Sequence, residues 1–183
     1  TCSLRRQSLL RYRFRHLKVE SLRGNVNRRL QRLDDGDFDD IILATAGLLR
    51  LQMAERIRQR IPTGIMLPAV SQGAVGVQCR SDDADTTALL MPLDHAPTHA
   101  RITAERAANA HLGGGCHLPI GAFAKIGGEQ FHQRGLVGRP DGSEILFASA
   151  KGLVSEDEAV SHTLADDILG HGAKALLQEF ANA

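Results

Sequence analysis

The sequence predicts a mixed α/β chain in two parts, and three observations carry that reading. Helix-like and strand-like segments alternate over the first third, as in a sheet with helices packed on it. Further on, three strand-like runs follow one another, separated by Gly127-Gly128 and by Pro140-Asp141-Gly142, both turn signals between strands. Helical stretches flank these runs, so the second part reads as a small α+β unit with a three-stranded antiparallel sheet.

Taken in order, Ser3 is a side-chain cap for a helix running to about Arg13, because its hydroxyl can accept from the first unpaired amides. Leu17 to Leu22 reads as a short strand. Asn25 caps a second helix whose apolar face is Val26, Leu30 and Leu33, spaced i, i+4, i+7. Asp34-Asp35-Gly36-Asp37 is a turn. Ile41-Ile42-Leu43-Ala44 is an apolar run of the length and bounding of a buried strand. From Ala46 the pattern turns helical through Leu48, Leu51 and Ile57. Pro62 and Pro68 interrupt it. Ala74 to Val77 reads as a crossing strand or hinge, which would bury Cys79 at its end. Asp85 to Leu93 is helical, and a longer helix runs from Asp94 or Pro97 to Leu112, where Gly113-Gly114-Gly115 stops it. The three strands are Ile120 to Ile126, Gln130 to Val137 and Glu144 to Ala150. Ser155 with Glu158 forms a capping box for a helix burying Val160, Leu164 and Ile168. Gly170 and Gly172 break that helix before a last short one.

Composition narrows the class. Of 183 residues, 43% are hydrophobic but only 4% aromatic and none is Trp, so the core is aliphatic. No apolar run approaches the roughly 20 residues that span a bilayer. The chain opens at Thr1 without an initiator Met, and material upstream is expected. Cys2, Cys79 and Cys116 are unevenly spaced with no C-x-x-C pair, which argues against a disulfide framework or a four-cysteine zinc site. A reducing compartment follows, read here as the cytoplasm. The formal net charge of +1 hides an asymmetry: residues 1–60 hold 14 Lys+Arg against 7 Asp+Glu, and all but Lys18 of those cations are Arg. Guanidinium groups bind carboxylate or phosphate in bidentate fashion, so the first third is suited to an oxyanion.

Three constellations follow. Ser3-Leu4-Arg5-Arg6 combines a helix start with two guanidinium groups, a sound anion site; a solvated basic helix face accounts for the same residues. Leu22-Arg23-Gly24-Asn25-Val26-Asn27-Arg28-Arg29 places Arg23 and Arg29 around a glycine before a helix, and Arg50 follows the apolar run at Ile41. If the two strands are neighbours, Arg5, Arg6, Arg23, Arg29 and Arg50 converge on one cleft at a sheet edge; a solubilising surface role is the alternative. In Gly113-Gly114-Gly115-Cys116-His117-Leu118-Pro119-Ile120-Gly121 the glycines leave a cysteine accessible, as a nucleophile or attachment site, or as an unreactive Cys at a tight turn. His95 and His99 lie at i, i+4 but lack a third ligand, and the Asp34–Asp40 cluster lacks the spacing and terminal Glu of a calcium loop. No metal site is assigned.

Together these segments resemble the porphobilinogen deaminase family (hydroxymethylbilane synthases). The resemblance lies in Thr1-Cys2-Ser3-Leu4-Arg5-Arg6-Gln7, Leu22-Arg23-Gly24-Asn25-Val26, Asp40-Ile41-Ile42-Leu43-Ala44 with Ala46-Gly47-Leu48, Leu67-Pro68-Ala69, Gln72-Gly73-Ala74-Val75-Gly76, Thr103-Ala104-Glu105-Arg106, and Gly114-Gly115-Cys116 with Pro119-Ile120-Gly121. It implies an enzyme of haem biosynthesis that joins four porphobilinogen molecules head to tail with loss of ammonia. It implies a dipyrromethane cofactor held by a thioether to Cys116, with Ser3, Arg5, Arg6, Arg23, Arg29, Ala44, Arg50 and Gly115 around cofactor and substrate. The catalytic aspartate of the family would lie upstream, so the isolated chain is expected to be inactive. Cys2 stands where Ser is usual, and Ser71 where Gly is usual, which would stiffen a hinge. The resemblance also implies a three-domain protein. On that scheme 1–67 is the second half of domain two, half of a sheet-and-helix, periplasmic-binding-protein-like unit. Residues 68–94 are a hinge and a segment returning to domain one, and 95–183 form the C-terminal α+β domain. The expected partner is porphobilinogen, with no nucleic acid, no membrane and a monomeric state. A basic nucleic-acid-binding module is the competing reading of the Arg-rich third, but it lacks an aromatic strand motif or recognition helix.

Overall fold

A computed structural model describes residues 1–115 and 118–181. Helix α1, Leu4–Arg13, starts where Ser3 Oγ accepts from the Arg6 amide. Helix α2, Val26–Asp34, is capped in the same way by Asn25, whose side chain accepts from the Arg28 amide. Helix α3 is a short stretch, Thr45–Arg50, followed by a 3-10 turn at Ala54–Arg56. Helix α4, Ala84–Leu90, is capped by Asp83 and runs into a 3-10 turn at Met91–Leu93. Helix α5, Ala96–His111, carries Pro97 in its first turn, where a missing amide costs nothing. It ends at Gly113, whose φ of +67° is in the left-handed region that favours glycine.

Three strands then form one antiparallel sheet in the order β1-β2-β3: Ile120–Gly127, Gln130–Gly138 and Ile145–Leu153. The register pairs Ile120 with Val137 and Leu136 with Phe147. Helix α6, Asp157–Ile168, passes through a π turn at Leu169–Ala173 into α7, Lys174–Ala181. Gly172, at φ +97°, supplies the break.

The sheet is covered on both faces. Alternation along β2 sends Phe131, Gln133 and Val137 toward α5 and α6, where Ala104, Ala108, Leu164 and Ile168 are all buried. Gln133 is satisfied there: it donates to the Ala104 carbonyl at 3.1 Å and accepts from Ser161 Oγ at 2.8 Å. The other face takes α1 and the 66–67 segment, with Leu9, Met66 and Leu67 packed on Leu136 and Ile145. Burying a leucine such as Leu9 contributes about 1.5–3 kcal/mol. Polar contacts register α1 on the sheet: Ser8 Oγ donates to Gly138 O at 3.3 Å and Arg11 to Pro140 O at 2.6 Å. A Cβ on Gly142 would lie 2.5 Å from Arg11 Cβ, so the β2–β3 turn needs glycine for α1 to approach.

The sequence expectations hold for the second part, with one shift. The helix of Val160, Leu164 and Ile168 opens at Asp157 after a 3-10 turn, and the reciprocal contact is the Leu153 amide donating to Glu156 Oε2 at 3.2 Å. Ser155 is therefore not the cap. The first part departs further. Leu17–Leu22 and Ile41–Ala44 are not strands, and no strand occurs before Ile120 among the described residues. A strand needs a neighbour for its ladder. Here arginines take some of the carbonyls instead: Arg11 donates to Val19 O at 2.6 Å and Arg6 to Ile42 O at 3.0 Å. Ala74–Val77 is likewise no strand, and Val75 and Val77 are 75% and 61% exposed. The helix expected to reach Ile57 stops at Arg50, where Gln52 turns the chain with φ +58°.

Glu105 joins the two parts. It is 2% exposed on α5, and its two oxygens accept from the Ser71 amide at 2.7 Å and the Ala124 amide at 2.9 Å. Ser71 holds φ +61°, and its hydroxyl is buried without a partner among the described residues. A β-carbon is disfavoured in that conformation. Ser71→Gly should keep the amide bond to Glu105 and raise stability by about 1 kcal/mol. A thermal midpoint at or below that of the parent protein would contradict this.

Candidate functional site

The Arg-rich first third builds a cleft. Helix α1 supplies Arg5 and Arg6, the 40–43 segment supplies Ile41 and Ile42, and Arg56 and Arg58 close it from the stretch after α3; the volume is about 500 Å³. Leu30, Leu48 and Met66 give it an apolar floor, and Asp40 stands on its wall.

Arg5 is 4% exposed and donates to the Leu67 carbonyl. Burial, and then the neighbouring Arg6, lower its pKa to about 10, so it stays charged at neutral pH. Arg6 is half-buried and spends one N–H on Ile42 O. Burial first, and then the charge of Arg29, pull its pKa down. A guanidinium has five N–H donors, so Arg6 keeps capacity for a ligand. No carboxylate lies within ion-pair distance of Arg5, Arg6 or Arg58 among the described residues, whereas Arg56 pairs with Asp34 at 2.5 Å. A buried positive field of this kind is relieved by an anion.

The residues singled out from the sequence are only partly assembled. Arg5 and Arg6 share the cleft. Arg29 is close enough to perturb Arg6, and its Nε donates to Gly24 O at 2.7 Å. Arg23 and Arg50 are exposed and do not line the cleft. Ser3 Oγ accepts from the Arg6 amide at 3.4 Å. Ala44 precedes α3, and its carbonyl accepts from the Gly47 amide at 3.0 Å. Cys116 and His117 lie outside the described residues. Gly115 is half-buried, and its carbonyl accepts from the Leu118 amide at 3.0 Å. The glycine run is held close to α5, since a Cβ on Gly114 would fall 2.2 Å from Asn109 Oδ1. Past the cysteine the chain comes to the cleft wall: a Cβ on Gly121 would be 3.0 Å from Arg5 Cδ. Cys79, expected to be buried, is exposed, with Sγ 3.7 Å from Thr87 Oγ1; without a strand at 74–77 nothing covers it.

Sequence reasoning missed Arg56, Arg58 and Glu105 as site or joint residues. The two arginines carry no motif beyond the regional Arg excess. Glu105 had one local signal, an acid beside Ala104 and one turn before Ala108 on a helix face that is buried. Burial raises its carboxyl pKa, opposed by the two amides and by Arg101.

The first third of the chain presents a cationic cleft, and the second a helix-covered sheet. Two family models match the chain. Residues 1–88 match the family described as "Porphobilinogen deaminase, dipyromethane cofactor binding domain", and residues 99–170 match "Porphobilinogen deaminase, C-terminal domain". The chain belongs to the porphobilinogen deaminase family, transferases of tetrapyrrole biosynthesis that carry a dipyrromethane cofactor. The cleft fits such a group in charge and in character, with guanidinium groups for acid side chains and Ile41, Leu48 and Met66 for pyrrole rings. No helix among the described residues is long and apolar enough to cross a membrane.

Proposed function

We propose that the chain contributes to hydroxymethylbilane synthesis, the head-to-tail condensation of four porphobilinogen molecules with release of ammonia. The observation that carries this is the Arg5–Arg6 cleft inside the stretch matching the cofactor-binding domain. When bound, the dipyrromethane supplies the pyrrole terminus on which the product is assembled.

The residues of the chain hold and orient acid side chains. Arg6 offers its uncommitted N–H groups to a carboxylate, at the start of a helix whose dipole also favours negative charge. Arg58 does the same from the opposite wall. Arg5 works chiefly by position: its bond to Leu67 O fixes the segment between cleft and sheet. Arg29 adds to the positive field on Arg6, and Arg23 and Arg50 meet parts of a longer chain that extend out of the cleft. Ser3, Ala44 and Gly115 shape the backbone around the ligand. Cys116 is the thioether anchor, because intermediates held only by ion pairs would dissociate between additions. The proton-handling carboxylate is not assigned to this chain. The domain scheme of 1–67, 68–94 and 95–183 belongs to the same proposal, as do a cytoplasmic setting and a monomeric state. A nucleic-acid role is not favoured.

Peptide mass mapping of the cofactor-loaded enzyme tests the assignment. The dipyrromethane mass should appear on the Cys116 peptide and vanish in Cys116→Ser, while Cys79→Ser retains it. An adduct on Cys2 or Cys79 with Cys116 unmodified would overturn it.

A further inference from the structure

A second cavity, of about 450 Å³, lies on the α1 face of the sheet. The 63–67 segment separates it from the Arg5–Arg6 cleft, and Thr63 and Leu67 stand at that partition. Two arginines from distant parts of the chain meet here. Arg13 comes from the last turn of α1 and Arg134 from the middle of β2. Each makes only long contacts: Arg13 Nη2 donates to Gly64 O at 3.3 Å, and Arg134 Nη2 lies 3.3 Å from both Thr63 O and Thr63 Oγ1. Each sits beside an aromatic ring, Arg13 Cζ at 6.0 Å from the Phe147 centroid and Arg134 Cζ at 5.9 Å from that of Phe123.

Neither guanidinium has a carboxylate within ion-pair distance among the described residues. The one acid on the wall, Asp167, faces His171 at 3.3 Å. With Asp167 offsetting only one of the two guanidinium groups, the wall keeps an excess positive charge that suits an anion. The remaining wall is divided between the hydroxyls of Thr63 and Ser149 and an apolar part made of Leu9, Ile65 and Phe147. An inorganic ion would satisfy the charge but leave the apolar part in contact with water.

We propose that this cavity is a binding site for a small organic carboxylate with an apolar body. It lies outside the cleft assigned to cofactor and substrate. The arginines take the acid group in bidentate fashion, the hydroxyls complete its hydrogen bonds, and Leu9, Ile65 and Phe147 cover the hydrocarbon. A ligand there would touch the 63–67 segment from the side opposite the cleft.

Amide NMR of the 183-residue chain, titrated with glutarate and separately with inorganic phosphate, tests this. Saturable shifts are expected at Gly64, Ile65 and Ser149, with a dissociation constant for glutarate of about 1 mM and weaker binding of phosphate. Arg13→Gln and Arg134→Gln should each weaken the response of those amides about tenfold. Arg13 is exposed, so its variant tests the site even if Arg134→Gln perturbs the sheet. Arg6→Gln should alter only the amides of 41–45, which separates this site from the cleft. Non-saturating shifts at Gly64 and Ser149, or loss of them on Arg6→Gln alone, would refute a separate site. Phosphate binding as tight as glutarate would refute an organic ligand.

Discussion

Replacing Glu105 with alanine will destabilise the protein by about 3 kcal/mol, since it strips the acceptors from two amides, Ser71 and Ala124. Each amide bond to the neutral acid is worth about 0.5–1.5 kcal/mol; the stronger bonds to the ionised form are offset by the cost of burying its charge. The pH dependence fixes the sign. Burial raises the Glu105 pKa above its ordinary value of 4.5, so the folded state binds the proton more tightly than the unfolded chain. Its contribution is therefore fully present below the unfolded pKa and declines as pH rises through the folded one. The gap between parent and Glu105→Ala should be widest in acid and narrow toward neutrality. Urea unfolding across that range reads both quantities. A gap under about 1 kcal/mol, or one that grows with pH, would mean the carboxylate is not the joint described here.

Arg6→Gln in the intact enzyme should weaken retention of acid-bearing ligands by ten- to a hundred-fold. The guanidinium is half-buried and commits one N–H to Ile42 O. What remains faces a cleft with Arg5 and Arg58 on its walls. Losing a charge-assisted bond there costs about 1.5–3 kcal/mol, which converts to that range of affinity. Arg6 gives the fold a single hydrogen bond, to Ile42 O, so the fold should survive its loss and the main effect should fall on binding. Cofactor occupancy by intact mass, and KM for porphobilinogen, are the measurements. An unchanged KM with full occupancy would show that Arg6 is only a structural tether.

What the sequence revealed was local. Ser3 and Asn25 announced α1 and α2 because a cap is a contact between residues three apart. Gly127-Gly128 and Pro140-Asp141-Gly142 announced the hairpins because turns are equally local. The segments at 17–22 and 41–44 were misjudged because strand formation depends on a neighbour, and here guanidinium groups occupy some of the carbonyls a ladder would use. The same limit applied to the site. Arg5 and Arg6 were legible as adjacent cations at a helix start. The convergence of Arg56 and Arg58 on them, and the exposed position of Arg50, depend on how α3 ends. The role of Glu105 needed the 69–73 turn to fold back onto α5, which no spacing rule encodes.

Helix α1 and its partners in the sheet are far apart in sequence. Ser8 reaches Gly138 across 130 positions and Arg11 reaches Pro140 across 129. On the ribosome α1 emerges long before β2 and β3 and waits while they are made. Its apolar stripe, centred on Leu9, has no surface to close against until β2 and β3 have been translated. Contacts of such long range are closed late and slowly. The cationic cleft, which depends on α1 for Arg5 and Arg6, can therefore mature only after the second hairpin has left the exit tunnel. The order of synthesis thus gives the chain a built-in delay between the appearance of its ligand-binding residues and their assembly.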